Sequence, residues 1–373
     1  MKLFQCQCCR QILYFENTVC LQCGSVVGYL PEEDRMLAVD ANGPVWRALP
    51  GAQGMPDPGP LRFCRNWERS ACNWMHAADD AGQAGSGQAG SGQAGFCLAC
   101  QHNRTVPDLS TPDHVTLWTR MEAAKRRLMY SILRLNLPHP LPGSGHPQPL
   151  VFEFLADDNA RSDPVLTGHS NGVITIALIE ADDAAREERR SQMGEVYRTL
   201  LGHFRHEVGH YYWDILVRDS DALDACRALF GDERADYGDA MTNHYNLGAP
   251  EGWDNRFVSA YATMHPWEDW AETWAHYLHM VDTLETAGAM GLRLKAGADL
   301  SLCHPVDPFQ GTSSDQLIKT WVPLTLALNS LNRSMGQKDL YPFSLPSAVQ
   351  AKLAFVHDLV SRCRINPQPA PPV

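Results

Sequence analysis

Hydrophobic positions along this chain recur with two periods, roughly 3.6 and roughly 2 residues, and these periods place its helices and strands. From Thr111 a stripe of Leu117, Met121, Ala124, Leu128 and Ile132 predicts a helix that stops before Pro138. Pro140, Pro142, Gly143, Gly145 and Pro147 follow as a breaker-rich loop. Residues 150–155 and 173–178 read as strands, with a turn at 167–172 before the second. From about residue 183 to 217 there is no proline, good helix formers dominate, and Tyr197, Leu201, Phe204, Val208 and Ile215 recur at helical intervals. One long helix is predicted there, with a core-facing side around Val208 and the opposite side free for chemistry. Pro266 opens another helix at its first turn. Residues 317–331 and 348–360 also look helical, with Pro323 expected to kink or delay the former, and the proline-rich tail at 366–373 is expected to fray.

The free side of the 183–217 helix carries His206-Glu207-x-x-His210. Residues i and i+4 share a helical face, so both imidazoles can reach one ion while Glu207 reaches a water beside it, the known zinc-peptidase pattern. Such a site needs a third ligand. Glu268 and Glu272, again i and i+4, share a face of an otherwise apolar, Trp-rich helix with Ala271 and Ala275, which would let two helices approach closely. Two carboxylates there are costly without a cation or donor. Glu268 is read as the third ligand, Glu272 as a carboxylate holding a ligand histidine, and His265 as a rival ligand or neighbour of the site. Asp214, one turn after His210, is expected to orient that histidine or cap a donor. The acidic residues at 232–239, before His244 and Tyr245, are expected to be solvated in loop and short helix.

Cysteine adds a second kind of metal chemistry, since nine of the twelve lie in the first 100 residues. Cys6-x-x-Cys9 and Cys20-x-x-Cys23 bracket Ile12, Leu13, Tyr14 and Phe15, the pattern of two knuckles joined by a short β-hairpin around one zinc. Cys8 is an alternative to Cys9. Cys64, Cys72, Cys97 and Cys100 suggest a second zinc, with His76 or His102 able to replace one thiolate. Cys226, Cys303 and Cys363 are scattered and read as incidental thiols. The Gly/Ser/Gln/Ala repeat at 82–95 cannot bury a core and reads as a flexible insertion.

Composition excludes several classes. A net charge of −12, with only −1 of it in residues 1–105, argues against an indiscriminate nucleic-acid binder, and no basic patch marks the cysteine-rich region. No run approaches 18 apolar residues and the opening residues lack the apolar run of a signal peptide, so no membrane partner and a cytoplasmic location are expected.

His206-Glu207-x-x-His210 with Glu268-x-x-Ala271-Glu272 resembles the gluzincin metallopeptidases, particularly their lethal-factor-like branch. In that branch a tyrosine seven residues before the ligand glutamate stabilises the transition state, and Tyr261 stands seven before Glu268. Taken whole, the chain resembles the zinc-binding metallopeptidases with an N-terminal zinc-ribbon domain. The resemblance implies an α+β fold: a β-rich tandem zinc ribbon over residues 1–105, then a zincin-like metallopeptidase domain over 106–365 with a small sheet and a mostly helical C-terminal part. It also implies that strand 173–178 is the sheet edge that receives an extended substrate. The expected activity is hydrolysis of a peptide or protein by a zinc-activated water, with Glu207 as general base and one catalytic and two structural zinc ions. The alternative is a non-catalytic zinc protein whose ribbons recruit protein or nucleic acid; it predicts loss of the base or a ligand, and neither is lost.

Overall fold

The computed structural model describes residues 1–40, 45–51, 56–78, 95–157, 165–192, 198–294, 307–309 and 311–365. Tyr197, Cys303, nearly all of the 82–95 repeat and the 366–373 tail lie outside these residues. The chain is α+β, a β-rich ribbon region followed by a mostly helical part, and it divides into two compact units. One contains Lys2–Tyr130 and Pro138–Asp183, the other Ser131–Leu137 and the described residues from Ala184. Among the described residues no helix is long and apolar enough to cross a membrane.

Among the described residues the first unit holds every strand. β1 (Phe4–Gln5) and β2 (Ile12–Leu13) form a short antiparallel hairpin that brackets the first Cys-x-x-Cys pair, rather than the expected hairpin between the two pairs. β3 (Val26–Leu30), β4 (Arg35–Asp40) and β5 (Arg47–Ala48) form an antiparallel sheet, and β6 (Leu61–Phe63) pairs with β7 (Met75–Ala77). Leu30, Leu37, Val39, Leu61, Phe63 and Met75 make one core between these hairpins. Gly28 is required there, because a Cβ would stand 2.5 Å from the Phe63 ring. In a second apolar cluster Phe15 packs edge to face against Tyr29, Trp74 and Tyr130. After the four-residue helix α1 (Leu98–Gln101) comes β8 (Asn103–Thr105), then the long helix α2 (Pro112–Arg134), β9 (Val151–Leu155), β10 (Gly168–Ser170) and β11 (Val173–Ala177).

These last four strands form one sheet in the order β10-β11-β9-β8. β11 therefore is not an edge: β10 pairs with it antiparallel on one side and β9 parallel on the other. The tight turn at Asn171 and Gly172, both with positive φ, folds β10 back onto β11 and covers the edge the sequence had suggested.

The second unit is helical. The predicted long helix is broken into α3 (Asp183–Gln192) and α4 (Leu200–Trp213). Thr199 has extended backbone angles and its hydroxyl accepts from Gly202 N, a cap that starts α4 afresh. A π-helical turn, Asp214–Arg218, continues α4. α5 (Leu223–Phe230), α6 (Tyr237–Leu247), α7 (Pro266–Ala289), α8 (Ser314–Ser334) and α9 (Ser347–Ile365) complete the unit. α7 is its axis, burying Trp270, Trp274, Tyr277, Leu278 and Val281 against α4, α8 and α9. Buried charge on α7 is matched: Asp282 pairs with Arg205 and accepts from Ser131, and Asp269 meets Lys352 Nζ at 2.6 Å. α8 begins nine residues before Pro323 and runs on through it, so the proline does not delay the helix. The carbonyl this proline leaves without a helical donor belongs to Lys319, whose side chain is exposed, so water can satisfy it.

Candidate functional site

Two local devices bring α4 and α7 together. On α4, Gly209 offers no side chain, and a Cβ there would lie 3.0 Å from Ala271 Cα and 3.2 Å from Trp274 Cβ. The bare Gly209 carbonyl then accepts from Trp270 Nε1 at 2.8 Å. On α7, Pro266 fills the first turn and His265 caps it, Nδ1 accepting from Trp267 N at 3.1 Å while Nε2 donates to the Ala235 carbonyl at 3.0 Å. Both ring nitrogens of His265 are thereby engaged in holding backbone, which removes it as a rival ligand.

The helix contact places Glu268 opposite the paired histidines. Glu268 Oε2 lies 2.9 Å from His206 Nε2, Glu268 Oε1 lies 3.4 Å from His210 Nε2, and the two Nε2 atoms are 3.2 Å apart. Three donors around an ion with bonds of 2.0–2.1 Å in a tetrahedral site stand about 3.3 Å from one another. Measured from each imidazole to its nearer Glu268 oxygen, the separations lie close to that requirement. The donor chemistry asks for a cation as well. His206 Nδ1 lies 2.7 Å from Glu272 Oε1, so a neutral imidazole, the form that binds metal, donates its Nδ1–H to Glu272 and turns its Nε2 lone pair toward the Glu268 carboxylate. Lone pair facing lone pair is relieved by a positive charge between them. The electrostatics carry the same demand for positive charge, which a proton can meet in place of an ion: burial alone would lower the His206 pKa, yet Glu268 and Glu272 hold it well above the usual value. Burial would raise the Glu268 pKa, yet His210 and His206 hold it well below.

Neighbouring groups orient this set. Glu272 Oε2 accepts from Ser259 Oγ at 2.6 Å, and Ser259 Oγ accepts from Ala262 N at 3.1 Å, tying the carboxylate to the short 3-10 turn Tyr261–Thr263. The Tyr261 ring sits 5.9 Å from that of His206. Tyr237 donates to Glu268 Oε1 at 3.0 Å. Glu207 is buried beside the imidazoles with no hydrogen-bond partner among the described residues; burial raises its pKa, against the pull of His206 and His210. Asp214 pairs with Arg218 at 3.1 Å, and burial raises its pKa while Arg218 and then His210 oppose it.

Two cysteine quartets in the ribbon unit have their sulfurs within 4.8 Å of one another: Cys6, Cys9, Cys20, Cys23 and Cys64, Cys72, Cys97, Cys100. The Sγ pairs Cys6–Cys23, Cys9–Cys20 and Cys72–Cys97 are 3.7, 3.5 and 3.6 Å apart. That is far beyond a disulfide and near the edge of about 3.8 Å of a tetrahedron with 2.3 Å zinc–sulfur bonds. Each Cys-x-x-Cys knuckle of the first quartet is followed by a residue with positive φ, Arg10 and Gly24, whose N–H returns to the carbonyl of the knuckle's first cysteine. Cys8 is exposed and Cys9 completes the quartet. Neither histidine replaces a thiolate: His76 Nδ1 meets the Ala77 carbonyl, and His102 is buried with Nδ1 on the Leu150 carbonyl. Cys226 is buried and Cys363 half-buried, both outside these groups.

Several partners escaped the sequence reading. Ser259 and Tyr237 carry no spacing signal. On α2, Glu122, Lys125 and Arg126 are buried beside the second quartet, where Arg126 donates to the Ala71 carbonyl and Lys125 Nζ meets Glu122 at 2.8 Å. Asn66 Nδ2 donates to Cys100 Sγ at 3.3 Å. The signal existed: three charges at i, i+3 and i+4 share the buried side of α2 near Met121 and Leu128.

A family profile described as "Putative zinc-binding metallo-peptidase" matches residues 114–359, and one described as a zinc-ribbon domain matches residues 3–111. Uncharacterized proteins of Mycobacterium tuberculosis and Mycobacterium bovis are each 39% identical to this chain over 371 residues, 99% of this chain and 98% of theirs. No solved structure matches it. With the three-donor site, the cysteine quartets and these matches together, the chain belongs to the zinc-binding metallopeptidase family that carries an N-terminal zinc ribbon.

Proposed function

We propose that this protein is a gluzincin-type peptidase that cuts peptide bonds in protein or peptide substrates. In this reading His206, His210 and Glu268 hold a catalytic zinc, and the two cysteine quartets hold structural zincs. The observation that carries it is the approach of two imidazole nitrogens and one carboxylate to 2.9–3.4 Å, with buried Glu207 alongside. Eight thiols kept as metal ligands suit a reducing compartment, which favours the cytoplasm. Residues 1–105 then act as the ribbon domain and 106–365 as the catalytic domain.

When bound, zinc supplies a Lewis acid that polarises the substrate carbonyl and makes water more acidic. Glu207 takes the proton of the attacking water and passes it to the leaving nitrogen. Burial raises its pKa and so makes it a better proton acceptor than a solvated carboxylate. Tyr261 keeps its proton at neutral pH, because burial and then the charge of Glu268 raise its pKa, and its hydroxyl donates to the oxyanion formed at the carbonyl. Glu272 fixes the His206 tautomer, and Ser259 fixes both Glu272 and the turn that carries Tyr261. His265 acts through structure, holding the start of α7 and the backbone just before Tyr237. Asp214 supports the end of α4 through Arg218.

The test is Glu207→Gln in the zinc-loaded full chain. Zinc content and the circular dichroism spectrum should match the parent while kcat/KM on a denatured protein substrate falls by about 100- to 10,000-fold. Parental cleavage by this variant would remove the assignment of the base.

A further inference from the structure

We infer that α6 is the wall against which the substrate chain lies, with Met241 and Tyr245 holding a large apolar side chain of that substrate next to the bond that is cut. This rests on the peptidase reading above and adds to it a substrate class.

α6 has eleven residues and none of them is buried. A helix of that length is marginal by itself in water, and it ordinarily persists by packing an apolar face. Tyr237, Met241 and Tyr245 stand at i, i+4 and i+8, 38%, 40% and 59% exposed, so their side chains form one stripe that keeps a solvent-facing apolar surface. Scattered exposed apolar residues are ordinary; a stripe that begins at the ligand set is not. Its first member, Tyr237, donates to Glu268, and its ring packs against those of His265 and Trp267. His244, seven residues after Tyr237 and so on the same side of the helix, lies 3.4 Å from Thr263 Oγ1 with its ring 6.0 Å from that of Tyr261. Tyr245 packs its ring 5.8 Å from that of His244. α6 is thus joined to the body along the edge that borders the candidate site, and the partly exposed Met241 thioether and Tyr245 phenol lie one and two turns along the helix from Tyr237.

The occupant follows from this chemistry. A substrate reaching the carboxylate and imidazoles must lay neighbouring residues along α6, and a thioether beside an aromatic ring rewards a Phe, Leu or Met side chain and offers little to a small or charged one. An isolated surface for another protein would have no reason to start at a hydrogen bond to Glu268.

The experiment uses the zinc-loaded full chain and synthetic peptides of equal length, alike except for Ala or Phe at each position in turn, with cleavage products read by mass spectrometry. The wild type should cut fastest where Phe lies beside the cut. Met241→Ser combined with Tyr245→Ser should lower the Phe-to-Ala ratio of kcat/KM by about tenfold. Both positions are solvent-exposed, and circular dichroism with zinc content verifies the fold of the variant. A wild-type enzyme indifferent to Phe, or an unchanged ratio in the double variant, overturns the assignment of α6 and leaves the peptidase reading standing. Wild type and Glu207→Gln equally inert on every peptide overturns the peptidase reading and this inference with it.

Discussion

Gly209→Ala isolates the geometry on which the metal site depends. Two effects oppose each other. Alanine is favoured over glycine inside a helix by about 1 kcal/mol, so α4 alone would gain stability. The added methyl, however, meets Ala271 Cα at 3.0 Å, Trp274 Cβ at 3.2 Å and the Ala271 carbonyl at 3.3 Å, two of them backbone atoms that cannot rotate away. Overpacking of this kind costs about 1–3 kcal/mol, so the net change in unfolding free energy should be a loss of about 0–2 kcal/mol. The larger effect should fall on the metal. To relieve the contact α7 must move from α4 by a few tenths of an ångström, and Glu268 lies less than one turn from Ala271 while His206 and His210 flank Gly209. Zinc ligands tolerate about 0.2 Å, so affinity at this site should fall by about 10- to 100-fold, the scale seen when groups supporting metal ligands are disturbed. Competition with a chromophoric chelator measures that affinity, the cysteine quartets serve as an internal control, and denaturant unfolding gives the stability. A variant more stable by about 1 kcal/mol with unchanged zinc affinity would refute the reasoning, since it would mean that the helices are not in limiting contact at Gly209.

Two further expectations concern charge. Burial raises the Glu207 pKa above 4.5, so the carboxylate form needed for proton transfer is lost earlier on acidification than for a solvated glutamate; the acid limb of a kcat/KM–pH profile should lie above 4.5, and a profile flat down to that pH would contradict it. Arg126 lies against the second quartet, where burial would lower its pKa but Cys72, Glu122 and Cys100 raise it. Arg126→Met should therefore destabilise the zinc-loaded chain by about 3–5 kcal/mol in denaturant unfolding, because buried negative charge loses its partner; a change under about 1 kcal/mol would contradict that role.

What the sequence made legible was chemistry carried by local spacing. His206 and His210, Glu268 and Glu272, and the Cys-x-x-Cys pairs each announce a shared face or a knuckle within five residues, and the structure brings each set together. The helices at 112–134, 314–334 and 347–365 were visible for the same reason, their apolar stripes being periodic. Legibility ended where a partner comes from elsewhere in the chain. Ser259 and Tyr237 meet Glu272 and Glu268 only after α7 has packed, and no periodicity foretells a hydroxyl on a loop. The break at Thr199 was hidden because residues on both sides of it are good helix formers, and a single hydroxyl cap outweighed that propensity. The edge role of β11 comes from the resemblance alone, and the three-residue β10 that pairs beside it is too short to register as a strand by alternation. The charges of α2 were passed over beside its apolar stripe, although a buried Lys125–Arg126 pair is intelligible only next to concentrated negative charge such as four thiolates.

The central claim is that His206, His210 and Glu268 enclose one ion, and elemental analysis of the purified full chain addresses it most directly. The parent should carry three zinc ions, one for each group of converging ligands, and His206→Ala two; Glu268→Ala should lose more zinc than Glu272→Ala. Only two ions in the parent, or three retained in His206→Ala, would contradict the account.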